Sequence, residues 1–193
     1  MSVLMRAFRL ILFTAMVALA ACASAPARAP TELLDEQTGA TLAVVAEPLV
    51  FARPRTDVAA NARDYATIVA LEANRSGKYS AYLLVHRWST VDRRMAPLPA
   101  ESAGRLLIKA DGRLLELKPL QPMPAALTRR DAVFMPADAD VVSWAYDTDL
   151  ATLEYLAASH DIGARFPDEP LDSPFVLWRD GRAALREFTA RGR

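Results

Sequence analysis

The chain has a single cysteine, Cys22, in 193 residues. One thiol excludes an internal disulfide and any metal cluster built on several thiolates. Glycine is scarce, at 7 residues. That excludes collagen-like and glycine-linker chains and leaves no Gly-rich loop to cradle a phosphate. Histidine is scarcer: His86 and His160 are the two in the chain, and no H-x-x-x-H or H-E-x-x-H spacing joins them into a metal site. Neither sign of charge is in excess, since Lys+Arg and Asp+Glu both number 23. This balance argues against a nucleic-acid binder that works through a large positive surplus. A nucleophile elbow of the G-x-S-x-G type is absent, and no apolar run approaches the ~20 residues of a membrane-spanning helix. No cofactor and no metal are expected.

What the chain does contain is apolar residues at 52% against 24% charged, the balance of a folded core rather than a disordered tail. Its most specific pattern lies at the start. Arg6 and Arg9 precede an apolar run over residues 10–21 that only Thr14 interrupts, and no acid appears before Glu32. That run is too short to span a bilayer and fits the apolar region of a secretory signal peptide. It closes in Leu19-Ala20-Ala21-Cys22.

These four residues resemble the lipobox of bacterial lipoproteins, with Leu19, Ala20 and Ala21 at the three positions before the lipidated Cys22. The resemblance implies a diacylglycerol on the Cys22 thiol, removal of residues 1–21, and acylation of the new amino terminus. Two or three acyl chains anchor a protein stably, where one gives marginal and reversible attachment. In a Gram-negative envelope, Ala23 in place of an Asp after the lipidated Cys implies the outer membrane, facing the periplasm. Membrane lipid is therefore the first expected partner, through Cys22. Residues 22–31 read as the lipidated Cys and an Ala/Pro tether with a reach of roughly 28 Å at ~3.1 Å per extended residue. Residues 32–193 remain for a single domain.

In that domain, β-type runs over residues 41–45 and 49–53 are followed by 64–73 and 78–91, which the turn residues Asn74-Arg75-Ser76-Gly77 join into a hairpin. Residues 105–109 and 113–118 form a second hairpin around Asp111-Gly112, and 141–146 and 175–178 are further strands. Helical spacing follows from an Asp147 or Thr148 cap to about residue 159, and from an Asp180 cap to 191. The fold class implied is mainly β: an antiparallel β-sandwich with one or two C-terminal helices.

Residues 78–91 hold Tyr79, Tyr82, His86, Arg87 and Trp88, the densest aromatic and basic segment of the chain. With Tyr82, His86 and Trp88 turned inward, strand alternation puts Leu83, Val85 and Arg87 on the outer face as the candidate binding surface. Trp88, Trp144 and Trp178 fall on strands, where rings usually serve the core and otherwise mark docking surfaces. His86 in a strand and His160 at a helix end carry structural or surface roles. Asp138, Asp140, Asp147 and Asp149 are read as caps and solvated loops rather than calcium ligands. Arg93-Arg94 and Arg129-Arg130 are read as solvated loops, with anionic headgroups as the alternative. No residue is singled out as catalytic. The leading function is a membrane-anchored lipoprotein with a non-enzymatic periplasmic binding or envelope-assembly domain and an envelope protein as partner. The alternative is an envelope hydrolase or ligand-binding enzyme. A pocket with a His beside a Ser or carboxylate favours the enzyme, and an aromatic-rich exposed sheet face favours the binding module.

Overall fold

Turn chemistry sets the two hairpins that organise the chain. Ser76 and Gly77 have φ of 53° and 83°, and Asp111 and Gly112 have 45° and 84°. Two successive left-handed residues make the tight turn whose twist matches that of paired strands. The Asn74 side-chain oxygen accepts the Gly77 N–H at 2.9 Å and locks the first turn. From it extend β4 (Arg63–Arg75) and β5 (Lys78–Ser89), paired along their whole length from Arg75↔Lys78 to Asp64↔Ser89. The second turn joins β6 (Leu106–Ala110) to β7 (Arg113–Leu117).

The structure, a computed structural model, describes residues 29–91, 104–128, 134, 141–167 and 174–191. Cys22, the lipobox, Arg93-Arg94, Arg129-Arg130, Asp138 and Asp140 lie outside them. The remaining strands are β1 (Thr31–Asp35), β2 (Ala40–Val44), β3 (Leu49–Pro54), β8 (Val142–Thr148), β9 (Ile162–Arg165) and β10 (Phe175–Arg179). The helices are α1 (Leu150–Ala158) and α2 (Arg182–Ala190), with a 3₁₀ turn at Ala125–Leu127. Strand β1 starts at the last residue assigned to the tether and pairs fully with β2, from Thr31↔Val44 to Asp35↔Ala40.

The fold is mainly β and antiparallel with two helices, as the sequence implied. Its two layers are parts of one sheet of ten strands. The path runs β1-β2-β4-β3-β10-β9-β6-β7, while β5 flanks β4 on its other edge and carries β8. The sheet then folds back on itself. Just past β7, the Leu120 N–H donates to the Ala145 carbonyl of β8 at 2.7 Å, and the Tyr146 hydroxyl of β8 donates to the Gly104 carbonyl ahead of β6. Enclosed between the layers are Phe51, Ile68, Leu83, Val85, Leu106, Ile108, Tyr146, Phe166 and Phe175, all essentially without exposure. Leu185 of α2 lies among Leu49, Ile68, Ala70 and Leu83, and the Tyr155 hydroxyl of α1 donates to the Ala110 carbonyl at 2.5 Å. Both helices thus close the open side of the folded sheet.

This curl buries the face of β5 expected to be outer, while His86, expected inward, is buried as well. Leu83, Val85 and Arg87 are 1%, 0% and 6% exposed and point between the layers. They sit opposite Ala70, Ile68 and Ala66 of β4, and opposite Tyr146, Trp144 and Val142 of β8. The Arg87 guanidinium lies 5.1 Å from the centre of the Phe166 ring. The outer strip expected at these three residues therefore does not exist. The physical reason is that β5 is a central strand, with β4 and β8 on its two edges and apolar residues on both faces, so alternation alone does not tell inner from outer.

Candidate functional site

The even residues of β5 share the opposite face with the odd set of β4; Leu84 and His86 are covered there, while Tyr82 and Trp88 are half-buried. Paired outward from the Ser76-Gly77 turn, Tyr65 comes opposite Trp88 and Thr67 opposite His86. The Tyr65 and Trp88 rings stack with centroids 4.2 Å apart and planes 12° from parallel. Trp178 of β10 sets its ring against Tyr65, at 6.4 Å and 79°. The Arg63 guanidinium lies 4.9 Å from the Trp178 ring centre, a cation–π contact. Trp178 is 57% exposed, while Tyr65, Trp88 and Arg63 are half-buried. Three rings and a guanidinium thus form a continuous ridge across β5, β4 and β10. Trp144, by contrast, faces inward, 5.9 Å from the Phe166 ring.

Next to the ridge the outer face falls into a groove of about 580 Å³. Its floor is Gly163 of β9, flanked in register by Lys109 of β6 and Val176 of β10. Leu107, Leu114 and Arg165 line it as well, with His160 and Asp161 at one end. That end is held firmly. The Asp111 carboxylate accepts the Asp161 N–H at 2.8 Å and the His160 N–H at 2.9 Å. These two backbone hydrogen bonds keep the Asp111 carboxyl below its usual pKa. Arg182 of α2 donates to the Ser159 and His160 carbonyls on the other side.

His86 offers the one Ser–His contact with an enzymatic look. Its Nδ1 lies 2.7 Å from Ser143 Oγ, the residue opposite it on β8. The ring is 2% exposed, its Nε2 has no hydrogen-bond partner, and burial pushes its pKa down to about 4. A triad needs a carboxylate to orient the imidazole and an open nucleophile. Among the described residues His86 has no carboxylate partner, and it behaves as a neutral cross-strand pair. His160 is exposed just beyond α1, as expected. Asp149, rather than Asp147 or Thr148, caps α1, accepting the Thr152 N–H at 2.6 Å. No group of three His, Cys, Asp or Glu suited to a metal occurs among the described residues, and no helix among them is long and apolar enough to cross a membrane.

Trp88 and Trp178 stand out in the sequence as strand aromatics but not as neighbours, and Tyr65, Arg63 and Gly163 carry no motif that marks them. Tyr65 opposite Trp88 was readable, because a two-residue turn fixes the register of its hairpin. Trp178 was not, since β10 pairs with β3 and β9 rather than with a sequence neighbour. The fold and its outer face thus define a two-layered antiparallel β-domain with an aromatic ridge beside an apolar groove. No family model, curated protein or solved structure matches the chain.

Proposed function

We propose that this chain is a lipid-anchored envelope protein whose β-domain is a non-enzymatic binding module. The ridge of Trp88, Tyr65, Trp178 and Arg63 docks a protein partner. The observation that carries the reading is Trp178, 57% exposed on an outer sheet face with a guanidinium against its ring. Trp, Tyr and Arg dominate the energetic centres of protein interfaces, and large exposed rings on a stiff sheet bind with little ordering cost. Stacking in the Tyr65–Trp88 pair uses ring faces that a flat sugar platform would leave open, so a protein surface suits the ridge better than a glycan. The anchor rests on the lipobox resemblance at Leu19-Ala20-Ala21-Cys22.

The hydrolase alternative has one observation on its side, the His86–Ser143 contact. The burial of that pair, and the lack of a carboxylate on the ring among the described residues, count against it. Crosslinking of the full chain in bacterial membranes, followed by pull-down, tests the proposal. The wild type should give a discrete crosslinked partner, which Trp178→Ala or Arg63→Glu reduces at least about tenfold. Cys22→Ala should remain an unlipidated precursor. Equal capture by wild type and Trp178→Ala, or an unmodified Cys22 in the wild type, would sink it.

A further inference from the structure

Nothing among the described residues requires the glycine at the floor of the groove. Gly39, Gly77, Gly104 and Gly112 have positive φ, and a Cβ on Gly181 would fall 2.4 Å from the Pro48 carbonyl oxygen. Gly163 has neither constraint: its backbone is ordinary strand, and the nearest atom to an added Cβ, the Phe175 carbonyl oxygen, is at 3.7 Å, an ordinary contact. Glycine within a strand weakens it, and where packing does not require it the position marks close approach of something else. The space above Gly163 is the 580 Å³ groove, within the size range of small-molecule sites.

The chemistry of the walls selects the occupant. Val176 lies beside Gly163 on β10, and Leu107 and Leu114 add apolar wall on the β6–β7 side, beyond Lys109. Gly163 is paired with both neighbouring strands, Lys109 of β6 and Val176 of β10, so the floor offers little free backbone to a peptide strand. A peptide lying there would leave amides unsatisfied over an apolar bed, at a cost an alkyl chain does not incur. Lys109 and Arg165 reach the same face, and neither forms an ion pair among the described residues. The one acid among the lining residues, Asp161, is four residues from Arg165 along the chain, about 13 Å away at strand spacing. Lys109, beside Gly163, and Arg165, two residues further along β9, are therefore diagonal neighbours on one face, and the two cations stand together on the side of the floor away from Asp161.

We propose that the groove over β9 binds a single-chain anionic amphiphile, its alkyl chain lying along Gly163 and its acid group held by Lys109 and Arg165. This inference does not rest on the protein-docking reading, because the ridge residues do not line the groove. The test uses the full chain in bacterial membranes with a diazirine-bearing palmitic acid, photolysed and mapped by mass spectrometry. Crosslinks should concentrate at Leu107, Leu114 and Val176. Excess palmitic acid should compete them away, and hexadecanol should not. Gly163→Leu, whose side chain fills the channel, should reduce labelling about tenfold or more, with the thermal midpoint retained. Lys109→Glu combined with Arg165→Glu should do the same without filling the channel. Labelling spread over the surface, equal competition by the alcohol, or labelling unchanged in both variants would overturn the proposal.

Discussion

His86 is the residue whose chemistry departs furthest from what its sequence position suggests. Its neutral ring is buried against Ser143, and burial lowers its pKa from 6.5 to about 4. Between these two values the unfolded chain binds a proton that the folded chain refuses. Stability is therefore full above about pH 6.5 and declines as the pH falls towards 4, by at most about 3 kcal/mol. Asp111, Asp149 and Asp180 have carboxyls held below 3.8, so their own losses come at lower pH and leave this window to the imidazole. Urea denaturation at pH 7.5 and pH 5 should show the decline in the wild type. His86→Gln, which keeps a hydrogen-bonding side chain and removes the titration, should flatten it. An equal slope in the variant would assign the effect elsewhere.

At the scale of elements, legibility followed locality. The two hairpins were readable because Ser76-Gly77 and Asp111-Gly112 announce turns that fix their own registers. Both helices were readable from their spacing, and their caps were misplaced by a residue or two: Asp149 caps α1, while Asp180 accepts the Arg182 N–H from the position before Gly181. Strands β1 and β9 escaped notice because neither is rich in β-branched residues, and each is a strand by virtue of its partners. The burial of the expected outer strip on β5 has the same root, since what encloses Leu83 and Val85 is the curl of the whole sheet. Gly181 shows how tightly an element is seated: its missing side chain lets the start of α2 touch the Glu47 and Pro48 carbonyls. Gly181→Ala should cost about 2 kcal/mol or more, because backbone on both sides cannot yield. Asp149→Ala removes one cap bond and should lower the thermal midpoint by a few degrees only. Differential scanning calorimetry of the two variants checks the order, and a milder effect at Gly181 would mean that α2 shifts freely.

For the molecule as a whole, the decisive strand is β10. It lies between β3 and β9, and so joins the layer of β1 to β5 and β8 to the layer of β6, β7 and β9. The Leu120–Ala145 bond and the Tyr146–Gly104 contact also tie the layers together. Ending the chain before Phe175 should therefore leave a protein without a cooperative unfolding transition, whereas ending it after Arg179 should leave a weakened but cooperative one. Circular dichroism melts of the two truncations distinguish these outcomes, and a sharp melt in the shorter chain would show that β10 is not the link. A ribosome makes this strand after the nine other strands described. Until residue 179 has emerged, β3 and β9 lack the strand that pairs with both. Closure of the fold thereby waits on the strand made after all the others described, and a chain interrupted before it keeps the edges of β3 and β9 unpaired by β10.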